Sequence, residues 1–280
     1  MVIFEIFYKF NSPFQNLNTP FLNIIIFAFL FHLQDIIHIQ ALAKKYKNSK
    51  VNAVDEVQLN IVEGEKLGVF GPNGAGKTSL MAMLCGIVLP SSGSIYYHID
   101  GKKLTCKDAL PFIGYVPQDF AFYPELSAQQ NLIYFGKMYG IPTNELNQRI
   151  DLLLEKLGLS AFRYQLLSTF SGGMKRRINL AIGILNNPKV LFLDEPTVGV
   201  DVQSKYAIDQ LLEELNKNGT TIVFTSHHLK ESEQFCDRLV LLDKGKIIAN
   251  GTMEALKQQY MVTDLEQLLI QLTGKELRDS

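Results

Sequence analysis

The chain has 280 residues, 47% of them apolar and 20% charged, which gives it enough length for a buried core and excludes a disordered class. Lysine plus arginine total 27 against 28 acidic residues, so the net charge of −1 carries no global signal for nucleic acid and leaves only a local basic patch open. The cysteines, Cys85, Cys106 and Cys236, are odd in number and far apart; no disulfide framework or metal spacing follows, and a reducing compartment is the simplest reading.

Met1 to Leu33 is rich in Phe, Ile and Asn. Its most apolar run, Phe21 to Leu33, is shorter than the roughly 20 residues that cross a bilayer. Only Lys9 is basic near the start, and no small-residue cleavage site follows the run. Three readings stand: an interfacial anchor, a short signal anchor, or an extension outside the working protein, with translation beginning near Leu33 to Ile36. The third is favoured, because "IIHIQALAKKY" from Ile36 reads as the first strand of a domain that loses nothing without the segment before it. Residues 1–35 are therefore set apart from 36–280.

Next comes "KLGVF" (Lys66 to Phe70), an apolar strand, followed by "GPNGAGKTS" and a helical pattern. Gly71, Pro72, Asn73, Gly74, Ala75, Gly76, Lys77 and Thr78 fit G-x-x-x-x-G-K-[ST] in the strand–loop–helix context that a phosphate-binding loop requires. Glycines let backbone N–H groups turn inward onto phosphate oxygens, and the helix start adds its positive end. Lys77 would reach the β- and γ-phosphates of a nucleotide, and Thr78 would ligate Mg²⁺. The competing reading is a glycine-rich turn before a helix, which would not need the lysine and hydroxyl at those places.

Pro124 to Pro142 and the following "LNQRIDLLLEKLGL" have helical periodicity. "VLFLDEP" (Val190 to Pro196) then reads as a buried parallel strand that ends in two carboxylates. Alone, such a pair is most often a solvated turn. Beside a phosphate loop, Asp194 is placed to hold Mg²⁺, directly or through water, and Glu195 to orient and deprotonate an attacking water. "TIVFTSHH" (Thr221 to His228) is another buried strand. Ligands in open α/β sheets sit at the carboxyl ends of strands, so His227 is a candidate for the γ-phosphate, with His228 its competitor.

"FSGGMKRR" (Phe170 to Arg177) lies just upstream of the carboxylate strand and resembles the signature loop of ATP-binding-cassette proteins, usually written LSGGQ. The resemblance runs from about Ile36 to the C-terminus, with the motifs in the family's order. It implies an α/β fold: a P-loop nucleotide-binding core with an antiparallel β subdomain and an inserted helical subdomain at about 120–180. It also implies further site residues. Tyr46 matches the aromatic that stacks on adenine, although an aromatic at such a place is otherwise commonly just packing. Gln118 in "GYVPQD" matches the glutamine that touches Mg²⁺ and links the site to the helical subdomain. Ser79 closes the phosphate loop. Ser171, Gly172 and Gly173 match the residues that bind the γ-phosphate held by the opposite subunit, and Asp201 in "TVGVD" matches the loop that crosses between subunits. Met174 departs from the signature glutamine, and "TVGVD" from the commoner T-S-G-L-D; activity is expected to survive both.

The resemblance implies ATP and Mg²⁺ as cofactors and hydrolysis to ADP and phosphate. It implies head-to-tail pairing with a second copy or a related cassette, and a separate membrane permease as partner at the cytoplasmic face of the cell membrane. No nucleic acid is expected. Docking is expected near Gln118 and the helical subdomain, where the aromatic run Asp119 to Ser127 is open equally to docking and to core packing. The overall look resembles bacterial exporter cassettes of the multidrug, polysaccharide and lipid type. The alternatives are an importer cassette, which often carries an additional C-terminal domain longer than Thr252 to Ser280, and a soluble ribosomal or DNA-repair type, which carries fused cassettes or a long coiled coil.

Overall fold

In the computed structural model, residues 34–47, 49–226 and 229–274 are described. The strands are β1 (Asp35–Lys44), β2 (Val54–Val62), β3 (Lys66–Phe70), β4 (Ser92–Ile99), β5 (Lys102–Thr105), β6 (Ile113–Val116), β7 (Val190–Asp194), β8 (Thr221–Thr225), β9 (Arg238–Asp243) and β10 (Lys246–Gly251). The helices are α1 (Lys77–Leu84), α2 (Cys106–Ala109), α3 (Ala128–Met138), α4 (Thr143–Lys156), α5 (Gly172–Gly183), α6 (Val202–Lys217), α7 (Leu229–Phe235), α8 (Met253–Tyr260) and α9 (Leu265–Thr273).

Two sheets organise the chain. One is antiparallel, in the order β2-β1-β4-β5; the other runs β10-β9-β3-β8-β7-β6. In the second sheet β9, β3, β8, β7 and β6 pair in parallel, and β10 turns back antiparallel on β9. All five residues of β7 and all five of β8 are buried. Their unbroken apolar runs follow from this position, because a parallel strand covered on both faces has no side left for solvent.

The two-residue period of each strand sorts side chains into two cores. Val190 and Phe192 of β7, Val223 of β8 and Val240 and Leu242 of β9 face one core. There they meet Leu80, Met81 and Met83 of α1 and the inner face of β1 and β2, including Ile37, Ile39 and Leu59. Leu191 and Leu193, Ile222 and Phe224, and Leu239 and Leu241 face the other, where α3, α4, α5, α6, α8 and α9 supply Leu132, Leu154, Ile178, Ile208, Leu256 and Leu268. The antiparallel sheet, α1 and α2 therefore lie on one face of the six-stranded sheet, and the remaining helices on the other.

Helix α3 starts later than its periodicity suggests. Ser127 caps it: the Ser127 hydroxyl accepts from the Gln130 backbone and the Gln130 side chain accepts from Ser127 N–H. Pro124 to Leu126 stay outside the helix. Helix α5 packs on α3, but also on β6 and α6, and so ties the helical segment to the core.

Candidate active site

The phosphate loop joins β3 to α1, as the spacing requires. Gly76 precedes α1 with φ of 107°, a backbone only glycine adopts without strain, and a Cβ there would sit 2.2 Å from the Ala53 carbonyl oxygen. The first turn of α1 carries no acidic residue, so no side chain of the helix itself offsets its positive end. Asn73, Gly74, Ala75, Gly76, Lys77, Thr78 and Ser79 line an open cleft of about 570 Å³ together with Ala53, Gln118 and Glu195. Gly71 and Pro72 do not line the cleft, but their carbonyls hold its lysine: Lys77 Nζ donates to Gly71 O at 2.8 Å and to Pro72 O at 3.1 Å. The lysine is 8% exposed. Burial lowers its pKa, and the nearby Glu195 and Asp194 carboxylates partly oppose that shift.

Asp194 ends β7, beside β3 across β8, and Glu195 follows it with φ of 51°. A left-handed backbone on a glutamate is uncommon and turns the side chain away from the strand direction toward the cleft. Both carboxylates are buried. Thr225, at the end of β8, joins them: its hydroxyl donates to Asp194 Oδ1 at 2.6 Å and accepts from Glu195 N–H at 3.1 Å. Gln118 Nε2 donates to Glu195 Oε2 at 3.2 Å. Tyr46, 44% exposed, stands at the mouth of the loop with its hydroxyl 3.2 Å from Ser79 Oγ. His227 and His228 lie outside the described residues.

The signature segment is elsewhere. Ser171 caps α5, its hydroxyl accepting from Met174 N–H at 3.3 Å; Ser171 and Gly172 are exposed, and Gly173 is buried. None of the three lines the phosphate-loop cleft of its own chain. A Cβ on Gly173 would lie 2.4 Å from Asp201 Oδ2 and from Ser204 Oγ, so the glycine permits close contact with the start of α6. Asp201 caps α6, accepting from Ser204 N–H at 2.9 Å and Ser204 Oγ at 2.7 Å, which holds its carboxyl below the usual carboxylate value. Met174 is half-buried against the helical core.

Residues 54–198 match the ABC transporter family model. The linearmycin resistance ATP-binding protein of Bacillus subtilis is 42% identical over 216 residues, covering 76% of this chain and 69% of the relative. The doxorubicin resistance ATP-binding protein of Mycobacterium tuberculosis is 35% identical over 224 residues, 79% of this chain and 67% of that one. A dimeric ATP-binding cassette solved in a post-hydrolysis state with ADP and Pi superposes with a TM-score of 0.70 at 27% identity, covering 78% of this chain and 99% of the other. The chain belongs to the ABC transporter family. It is an ATP-binding cassette with ATPase activity, and its fold is the P-loop α/β cassette that the motifs imply.

Three residues of this cassette escaped sequence reading. Thr225 is one. The others are Arg176 and Asn179 on α5, both buried. Arg176 Nη1 donates to Pro117 O at 3.2 Å and Gln118 O at 2.9 Å. Asn179 Nδ2 donates to Pro117 O at 3.1 Å, and its Oδ1 accepts from Ala121 N–H at 3.2 Å. Burial lowers the Arg176 pKa, with Glu195 and Asp119 opposing. The only signal in the sequence was their spacing of three on one helix face.

The aromatic run beside Gln118 is partly buried and partly exposed. Phe122 packs against the helical core, whereas Phe120 and Tyr123 are exposed. An apolar groove of about 440 Å³ opens next to the run, lined among others by Ile87, Leu110, Pro117, Ala121, Phe135 and Tyr139.

Proposed function

We propose that the cassette is the ATP-hydrolysing subunit of an export complex, and that its site is completed by a second copy or a related cassette. The observation that carries this reading is the separation of motifs: Lys77 and Glu195 line one cleft, while Ser171 to Gly173, at the exposed start of α5, line none of it. A helix start that presents an exposed hydroxyl and N–H groups suits an anion, and head-to-tail pairing supplies one from the other chain's nucleotide. Export is favoured by the relatives named for drug resistance.

In this reading Tyr46 stacks on adenine, and Gly71 to Ser79 cradle the phosphates. Thr78, Gln118 and Asp194 would hold Mg²⁺; the set offers hard oxygen donors, which suit that ion. Bound there, the ion neutralises charge on the phosphate oxygens. Glu195, held by Gln118 and aimed by its backbone, takes the proton of the attacking water. His227 contacts the γ-phosphate, and Asp201 lies at the crossing between subunits. The cassette begins at Asp35, which opens β1 and pairs with Val62, one residue before the boundary at Ile36; it carries a helical subdomain at about 120–180, and the segment before it is dispensable for ATP hydrolysis. A permease segment occupies the apolar groove beside Gln118, which places the cassette at the cytoplasmic face of the membrane. No helix among the described residues is long and apolar enough to cross it.

The test is Glu195→Gln with ATP and Mg²⁺. The variant should bind ATP, lose about 10² to 10⁴ in hydrolysis rate, and accumulate as an ATP-closed dimer in light scattering. A variant that hydrolyses ATP at the parental rate would remove Glu195 from its role.

A further inference from the structure

The Gln118 loop, between β6 and α3, is held from one side by one turn of α5. Arg176 and Asn179 lie three residues apart and share a helix face. Between them they make four hydrogen bonds to a short stretch, binding the carbonyls of Pro117 and Gln118 at its start and the N–H of Ala121 at its end. The Arg176 guanidinium also lies over the Phe120 ring, 5.2 Å from its centroid. The two side chains are 5% and 2% exposed, so water cannot replace them cheaply. The same helix begins at Ser171, so its first turn carries the signature and the next carries this strap.

We infer that Arg176 and Asn179 are positioning residues that make the Gln118 loop travel with the signature helix as one body. Gln118 then reaches Glu195 only when α5 stands in place. One helix thereby couples the state of the signature it presents to a partner with the readiness of its own hydrolytic carboxylate. Pro117, Ala121 and Asn179 also line the apolar groove, so an occupant of that groove presses on the strapped loop directly. The inference rests on the reading that Gln118 and Glu195 act at the hydrolytic site.

The competing account is that Arg176 merely satisfies two carbonyls that burial would otherwise leave unpaired. The two differ in kinetics. A coupling strap acts on the transition state, so its loss lowers kcat and kcat/KM together and leaves KM unchanged. Losing charge-assisted bonds of this kind should cost about tenfold or more in kcat.

The experiment uses the full chain with ATP and Mg²⁺ and two readouts: steady-state kinetics, and hydrogen exchange at the amides of residues 118–121. Arg176→Ala should lower kcat with KM for ATP unchanged and speed exchange at 118–121, while α3 and β7 exchange as in the parent. Added guanidinium should restore part of kcat, and Arg176→Lys should fall between. Should Arg176→Ala not fold, Asn179→Ala, which leaves the charge in place, decides by the same readouts. Parental kcat in a folded variant, parental exchange at 118–121, or faster exchange throughout α5 and α3 would each overturn the inference. Gln118→Ala tests the underlying reading separately: parental hydrolysis in that variant removes Gln118 from the site whatever the exchange data say about the strap.

Discussion

The Thr225 hydroxyl stands 2.6 Å from Asp194 Oδ1, so the end of β8 fixes the carboxylate at the end of β7. The same oxygen accepts the N–H of Glu195, and one side chain therefore sets both acids. Thr225→Val keeps the shape and removes the hydroxyl. It removes both hydrogen bonds of the bridge, a loss of about 1–3 kcal/mol. Denaturant unfolding should report that loss, and hydrolysis should fall with it. Parental stability and activity would show that the bridge is dispensable.

Gly76 and Gly74 both have positive φ, but their surroundings differ. A Cβ on Gly76 meets the Ala53 carbonyl, whereas around Gly74 nothing lies within 4 Å. Gly74→Ala should bear only backbone strain, about 1–2 kcal/mol. Gly76→Ala adds a clash with backbone and should displace the loop. Titration with a fluorescent ATP analogue should show the larger loss of affinity for Gly76→Ala. Equal losses would mean that the Ala53 contact does not shape the cleft.

The Asp201 cap gives a pH dependence whose sign follows from its hydrogen bonds. Ser204 N–H and Oγ favour the ionised carboxyl and hold its pKa below the ordinary value of 3.8. A depressed carboxyl stabilises the folded chain above its unfolded pKa, and that contribution is lost as pH falls through the folded pKa. The start of α6 should therefore hold at neutral pH and loosen only in acid below the ordinary value. Carbon NMR of the Asp201 carboxyl should show a midpoint below 3.8 that moves upward in Ser204→Ala. An unchanged midpoint in that variant would assign the shift to another cause.

How legible the site was depended on the distance over which its parts are joined. Gly71 to Ser79 and Asp194 with Glu195 are contiguous, and a strand before each gave their context, so chemistry and place could be read together. Thr225 meets Asp194 from a neighbouring strand, and Arg176 meets Gln118 from a helix far along the chain; neither contact leaves a local pattern. The strand order around β3 is equally long-range, since β8 and β9 flank it from the far end of the sequence. The start of α3 is a different case. Ser127 and Gln130 form a local S-x-x-Q signal, which the apolar periodicity beginning at Pro124 overrode. The left-handed backbone of Glu195 has no sequence signal, because glutamate adopts it only under tertiary constraint.

In the proposed pairing, each cleft is completed by the signature of another chain. The most direct measurement mixes two inactive variants. Lys77→Ala removes the phosphate lysine but keeps a working signature; Ser171→Arg blocks the exposed signature but keeps a working phosphate loop. A head-to-tail pair of one of each contains one intact site, made from the Lys77 of one chain and the Ser171 of the other. ATPase activity of each variant alone should be near background, and the mixture should regain activity that rises with protein concentration. A mixture as inactive as its components, while size measurements show that the chains pair, would contradict head-to-tail completion of the site.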